Sequence, residues 1–362
     1  NKMKVGILGG GQLAMMMIQS SIEDNIEFIV VDPSDNPPAN KYVKCIKSDF
    51  DDIKMLDKLS RECDVVTIDF ENVPSASLKY LERKIDVHPN SKAVEICQDR
   101  LKEKELFEEC KIPVTRYKKV DSLDSLDSSK KSFSNGAILK SRFFGYDGKN
   151  QVDLDISNLK TAFQTCGSSK LIIEEKVSFI RELSLIGVRD KKGGTAFYPL
   201  VENKHINGIL HTSIAPYDDD KLQKKAQDYH NLLTDKMNYV GVLVIEFFLD
   251  NENKLIANEM APRVHNSGHW TIEGANISQF KSHIKSVTGE DISNIRVDEC
   301  AAMMNILSTM PDLSTLDIPN ILKIYDYGKT EKRNRKLGHI TIIDKDKDIL
   351  LNRIKVLEKF TS

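Results

Sequence analysis

The most specific chemistry in this sequence rests on two glutamates. Glu246 and Glu259 lie in the stretches Val242 to Leu249 and Lys254 to Met260, each rich enough in β-branched and aromatic residues to predict a strand. Asp250-Asn251-Glu252-Asn253 between them is turn sequence. A hairpin with its loop at Glu252 and Asn253 sets Glu246 directly opposite Glu259. Like charges opposed across a ladder destabilise a sheet, and a divalent cation is the natural compensation. Mg²⁺ suits such a pair, because it takes few protein ligands and shares its open positions with phosphates. A register slip of one or two residues would instead leave both glutamates solvated. The loop that follows is dense in donors and cations, with Arg263, His265, Asn266 and Ser267.

Other residues also suit anions. Lys140 sits on the apolar strand Ala137 to Ser141, where an ammonium costs free energy unless it meets an anion, so it reads as a phosphate ligand. Arg142 to Asn150 follows, with glycines at 145 and 148 and cations on both sides. Such a loop can close its backbone over a polyphosphate, and it equally suits an ordinary turn. No Walker A loop occurs, since Gly328-Lys329-Thr330 lacks the upstream glycine. Leu171 to Val177 is a strand that turns polar at Glu174, Glu175 and Lys176, and Glu182 begins the next. Strand ends of this kind hold adenine, and a glutamate suits ribose hydroxyls. His205 lies in a polar break. Five cations in the eight residues from Lys329 to Lys336 form either a solvated loop or a grip on a substrate phosphate. His265 and His269 are four apart without H-E-x-x-H, and Ser267-Gly268 between them breaks a helix, so zinc is not expected.

The elements that position these groups follow an α/β order. Lys4 to Leu8 is a strand, Gly9-Gly10-Gly11 a tight turn, and Gln12 to Ser21 a Met-rich helix. With Ala14 and Asp32 this satisfies a dinucleotide fingerprint, which makes an NAD(P)-dependent oxidoreductase a rival reading, although the same turn suits any anion at a helix N-terminus. A third strand, Asp64 to Phe70, ends at Glu71-Asn72, which either share a ligand with the glycine turn or cap the helix beginning near Ser75. Amphipathic helix from Ala93 to Cys110, containing Gln98-Asp99-Arg100, marks a boundary near residue 98. Strand-rich sequence begins at Pro113, and Asp121 to Asn135 is a loop or a weak surface helix. A small terminal section starts about Ile292.

Composition excludes several classes. The 362 residues carry a net charge of −2, which gives no basic field for nucleic acid. Six cysteines without a C-x-x-C fit reduced thiols in the cytoplasm. No apolar run approaches the ~18 residues that span a bilayer, and Met3 leads into a strand rather than a signal peptide.

Several blocks occur in a telling order: Gly9 to Leu13, Asp69 to Pro74, Gln98 to Arg100, Gly145 to Lys149, Asn258 to Trp270, Tyr327 to Lys329 and Arg335 to His339. Together they resemble the N5-carboxyaminoimidazole ribonucleotide synthetases, ATP-grasp enzymes of purine biosynthesis. The resemblance implies an ATP-grasp domain at 98–291 with a lid subdomain at about 112–178. A Rossmann-like domain would precede it at 1–97, and a small β-rich domain would follow at 292–362. It further implies a cytoplasmic homodimer that carboxylates 5-aminoimidazole ribonucleotide with bicarbonate and ATP, through carboxyphosphate. ATP would meet Arg100, Lys140, Glu174, Glu175, Lys176, Val177, Glu182, His205, Asn258 and Glu259, under a lid of Gly145, Tyr146, Asp147, Gly148, Lys149 and Gln151. The ribonucleotide would meet Gln12, Leu13, Glu71, Asn72, Tyr146 and Asp147, with its phosphate on Lys329, Arg335 and Lys336. Arg263, His265, Asn266, Ser267 and Lys149 would serve the chemistry, and Mg²⁺ would sit on Glu246 and Glu259. One position departs: Asn150 stands where the family usually has glycine, and asparagine tolerates left-handed backbone better than most residues.

Overall fold

A computed structural model describes residues 2–361 except 146, 293, 315–317, 319 and 320, and only the backbone of 321 and 322. Its strands fall into three sheets. The first is parallel, in the order Ile46–Lys47, Ile26–Asp32, Met3–Leu8, Val65–Ile68, Asp86–Val87. Helices cover it, and its central strands are buried from Val5 to Leu8 and from Val65 to Ile68, as a layer covered on both faces requires. Helix Gln12–Ser20 buries Met15, Met16 and Met17 against it. This is the Rossmann-like layer expected from the N-terminal sequence.

The second sheet is antiparallel, in the order Tyr117–Val120, Leu171–Glu175, Ala137–Ser141, Gln151–Asp153. The segment from Asp121 to Asn135 does hold a helix, Leu123–Lys130, opened by a capping box on Ser122 and anchored by the buried Leu126.

The third sheet has nine strands and carries the glutamate hairpin at one edge. From that edge the order is Leu255–Ala261, Gly241–Leu249, Arg181–Arg189, Val201–Ile206, Ile209–Ala215, Cys300–Ser308, Lys332–Asp344, Ile321–Asp326, with Thr195–Phe197 paired beside Arg181–Arg189. Period-two alternation divides its faces. Leu183, Leu185, Leu243, Ile245 and Phe247 pack on helix Asp220–Met237. Ile186, Val188, Val242 and Val244 pack on helix Gln279–Thr288. Glu246 and its pairing partner Ser184 belong to that second face, beyond the end of the helix. The strands after residue 292 do not form a sheet of their own. Pairing between Ile209–Ala215 and Cys300–Ser308 joins them to the central one, so their cations are held rigidly relative to the hairpin.

Candidate active site

Loops from all three sheets enclose one cavity of about 790 Å³. Glu246 and Glu259 lie directly opposite each other in its wall. The pairing is as expected, but it is reached differently. Next to the turn Leu249 pairs with Leu255 and Phe247 with Ala257, a register that would bring Asn258 to Glu246. A bulge at Asn258 shifts the ladder by one, so Glu259 takes that place. Asn258 and Glu259, though consecutive, therefore both face the cavity.

Burial, then the neighbouring Glu259, push the Glu246 carboxyl well above its usual range. Burial also opposes ionisation of Glu259, but Arg100, the bond from Glu246 and Lys140 outweigh it and hold Glu259 low. Arg100 Nη1 donates to Glu259 Oε2 at 3.0 Å. Among the described residues no group of three or more His, Cys, Asp or Glu is placed to hold a metal. Two facing carboxylates beside an open cavity fit a divalent cation such as Mg²⁺, which takes few protein ligands.

Lys140 also lines the cavity, and its strand burial is resolved from within the protein: its Nζ lies 2.6 Å from Glu174 Oε2. Lys104 Nζ approaches the other oxygen at 3.2 Å. Burial resists the charge on Glu174, yet Lys104, Lys140 and Arg100 together hold its pKa at about 2. The triad leaves Lys140 a share of positive charge to direct into the cavity. Glu174 is thus a counter-ion, and neither it nor Glu175, Lys176 and Val177 lines the cavity. Lys176 is turned onto Asp153 and Asp155, at 2.7 Å from each. Lys104 and Glu103 were missed in the sequence. Both follow Arg100 within a turn of helix Arg100–Glu109, and their signal was two charges on a face that must be buried. Glu103, pushed up to about 8 by burial and then Glu259, accepts the Met260 N–H at 2.9 Å and so pins the hairpin.

On the opposite side Arg263 makes a two-point ion pair with Glu71, including Nη2 to Oε1 at 2.9 Å. Helix Ser75–Glu82 has no side-chain cap, so Glu71 serves the cavity rather than the helix. Asn72, Gln12 and Leu13 line the cavity beside it. His265 Nε2 lies 3.9 Å from Glu246 Oε2, and His205 Nε2 4.0 Å from Glu246 Oε1, while His205 Nδ1 contacts Glu182 Oε2 at 3.2 Å. The buried Gln279 braces the catalytic loop by accepting the His265 N–H at 3.0 Å and donating to its carbonyl at 2.6 Å. Asn266 forms an amide pair with Asn305, Nδ2 to Oδ1 at 2.9 Å. Ser267 is fully buried and does not reach the cavity.

The glycine turn differs from a dinucleotide cradle. The Gly10 N–H donates to Asp32 Oδ2 at 2.8 Å, and the Ala14 N–H approaches Asp69 Oδ2 at 3.4 Å. A Cβ on Gly9 would meet Asp69 Oδ1 at 1.6 Å, so glycine is required there to admit a carboxylate of the protein itself. The carboxyl received at this helix N-terminus is therefore the protein's own.

The lid loop is folded over the cavity. Gly145 accepts from Arg100 Nη2 at 3.2 Å through its carbonyl. Asp147 Oδ1 receives Lys336 Nζ at 2.9 Å, which ties the lid to the terminal strand. Gly148, Lys149 and Gln151 line the cavity, whereas Tyr146 lies outside the described residues. Asn150 has φ of 55°, the left-handed conformation expected of it, and its Nδ2 donates to the Phe144 carbonyl at 3.3 Å. Of the basic run, Lys329, Arg335 and Lys336 are half-buried on the cavity, while Lys332 and Arg333 are exposed. Burial, then Arg335 and Lys336, lower the Lys329 pKa to about 8, as desolvation and repulsion within a cluster of cations require.

Comparison with known proteins agrees along the whole chain. Residues 2–98 match the ribonucleotide synthetase preATP-grasp domain, 105–280 the ATP-grasp domain, and 301–353 the phosphoribosylaminoimidazole carboxylase C-terminal domain. The N5-carboxyaminoimidazole ribonucleotide synthase of Pseudomonas aeruginosa is 39% identical over 358 residues, covering 98% of this chain and 99% of that protein. The crystal structure of the synthetase from Thermus thermophilus superposes with a TM-score of 0.92 at 36% identity, over 99% of this chain and 98% of that one. The Aspergillus clavatus enzyme in complex with ADP and 5-aminoimidazole ribonucleotide gives a TM-score of 0.89 at 27% identity, with 99% of each chain covered. With this likeness running from the Rossmann-like layer to the basic clasp, the chain belongs to the N5-carboxyaminoimidazole ribonucleotide synthase family of ATP-grasp ligases.

Proposed function

We propose that the cavity is where this ligase converts 5-aminoimidazole ribonucleotide and ATP to N5-carboxyaminoimidazole ribonucleotide, with bicarbonate supplying the carboxyl group. The observation that carries this reading is one continuous cavity with two anion stations. The Glu246/Glu259 pair with Arg100 and Lys140 stands at one, and Lys329, Arg335 and Lys336 at the other. The first suits ATP phosphates, with Glu182, His205 and Asn258 toward the nucleoside. The second suits the ribonucleotide phosphate, with Gln12, Leu13, Glu71, Asn72 and Asp147 around the rest of that substrate.

Bicarbonate is a poor electrophile until activated. In the first step its oxygen attacks the γ-phosphorus, giving carboxyphosphate and ADP. In the second the exocyclic amine attacks the carbonyl carbon, the C–O bond to phosphate breaks, and the amine proton is released. Phosphoryl transfer asks chiefly for positioning and charge neutralisation. Lys140 and Arg100 provide part of it, and Mg²⁺ held by Glu246 and Glu259 would neutralise the phosphate oxygens further. Arg263, fixed by Glu71, and His265 face the position of the transferred anion. The lid, with Lys149, excludes water from a short-lived intermediate. Reduced thiols and the biosynthetic relatives support a cytoplasmic setting, and family resemblance supports a homodimer, which light scattering would check.

The test is ADP release with Mg²⁺ present while the ribonucleotide and bicarbonate are varied independently. Saturable stimulation by each is expected; no response to the ribonucleotide overturns the substrate assignment. Tight NADH binding with a fluorescence change would revive the oxidoreductase reading, which the internally occupied glycine turn disfavours.

A further inference from the structure

Three strands of the central sheet carry buried polar side chains where the sheet's alternation would otherwise place apolar ones. Ser184, Asn203, Ser213 and Ser267 are each at most 6% exposed. A buried polar group is costly unless its partners are complete, and these four complete one another. Ser213 Oγ donates to Asn203 Oδ1 at 2.7 Å, Asn203 Nδ2 donates to Ser184 Oγ at 3.0 Å, and Ser184 Oγ donates to Ser267 Oγ at 2.9 Å. Ser267 Oγ then lies 2.8 Å from His265 Nδ1.

The chain has a direction. An amide nitrogen can only donate, so Ser184 must accept from Asn203, and its own proton goes to Ser267. Ser267 accepts that proton, and its own hydroxyl hydrogen is left for His265 Nδ1. A second donor agrees: the Ser267 backbone N–H points at the same Nδ1 at 3.2 Å. Nδ1 is therefore an acceptor, and the ring proton is on Nε2, the nitrogen that faces Glu246 Oε2 at 3.9 Å.

We propose that Ser213, Asn203, Ser184 and Ser267 are positioning residues that form a one-way hydrogen-bond chain, fixing the His265 ring so that Nε2–H is directed to the anion activated beside Glu246. A hydrogen on Nδ1 would be set against the Ser267 N–H and would leave the Ser267 hydroxyl hydrogen without its acceptor. The chain is inferred from geometry; only the identity of the anion rests on the ligase reading.

The test is nitrogen NMR of the full-length protein with ¹⁵N-labelled histidine, the His265 signals being assigned by their loss in His265→Asn. At pH 8 Nε2 is expected to show a protonated shift and Nδ1 an unprotonated one. Asn203→Asp keeps the shape but replaces the donor by an acceptor, which draws the Ser184 proton away from Ser267. Ser184→Ala removes the link. Each is expected to give mixed tautomers and a fall in kcat of about tenfold, as losses of such supporting partners do. KM for ATP and for the ribonucleotide should stay within about twofold. A protonated Nδ1 in the parent protein overturns the inference, and so do folded variants whose tautomer and kcat match the parent. Should Ser184→Ala not fold, the parent spectrum and Asn203→Asp decide. If the tautomer is as expected while the ribonucleotide fails to stimulate ADP release, the ligase reading falls and the chain stands.

Discussion

Arg100 and Glu259 are 159 residues apart in the chain and meet at 3.0 Å in the wall of the cavity. The contact decides how the glutamate pair divides its proton: Arg100 holds Glu259 ionised, and Glu246 keeps the hydrogen. One member of the pair is therefore built into an ion pair while burial and its neighbour keep the other neutral.

The two glutamates should respond differently to neutralisation. Glu246→Gln preserves a donor to Glu259 and is expected to leave thermal stability unchanged within about 0.5 kcal/mol in Mg²⁺-free buffer. Glu259→Ala strips Arg100 of its partner and should cost on the order of 3 kcal/mol. Both should lose Mg²⁺-dependent ADP release by at least about 100-fold, the scale of removing one preorganised charge. Denaturant melts beside a coupled ADP assay would check this, and near-normal turnover of either variant would refute the metal role.

Glu174→Gln removes the counter-ion of two buried lysines at once. Breaking a buried pair in this way costs roughly 3–5 kcal/mol. The midpoint of urea unfolding should fall accordingly, with the ATP KM raised because Lys140 is no longer held in place. A variant as stable as the parent would show that the triad is not an internal brace.

The phosphate clasp should be pH-dependent. Lys329 in the free protein has its pKa lowered to about 8, so it is charged below that pH and loses its charge as pH rises through it. KM for the ribonucleotide is expected to be flat below about pH 7.5 and to climb above about 8.5. Lys329→Gln should abolish the climb and raise KM by about 10–100-fold at pH 7, the worth of one charge-assisted hydrogen bond. Initial rates from pH 6.5 to 9.5 would reveal it.

Lid closure depends on two glycines that touch. A Cβ on Gly208 would lie 2.9 Å from the Gly148 Cα, and Gly208 has a φ of +78°. Gly208→Ala should cost about 1 kcal/mol of stability and hold the lid off. More ADP should then be released than carboxylated ribonucleotide formed, because water reaches the intermediate. Measuring both products in one reaction tests this; a ratio of one would sink the idea.

The strand and turn sequence of residues 242–260 was enough to put Glu246 and Glu259 on the two arms of one hairpin, and the blocks from Gly9 to His339 were enough for the family, because local periodicity and short motifs carry both. The bulge at Asn258 was not legible. Its register depends on Glu103 and Lys104, which approach from another helix to hold the Met260 N–H and the Asn258 carbonyl. The glycine turn read as open to a cofactor because only the folded first sheet brings Asp69 to Gly9. Glu174 read as a ligand because a strand end looks the same whether it faces a nucleotide or two lysines. The join between the central and terminal strands, which fixes the clasp relative to the glutamates, is a pairing of segments some 90 residues apart. Local sequence specifies which groups are present and on which face of their own element they stand. Whether a buried charge meets a ligand or another part of the chain is decided by long-range packing, where the cost of an unpaired charge is settled.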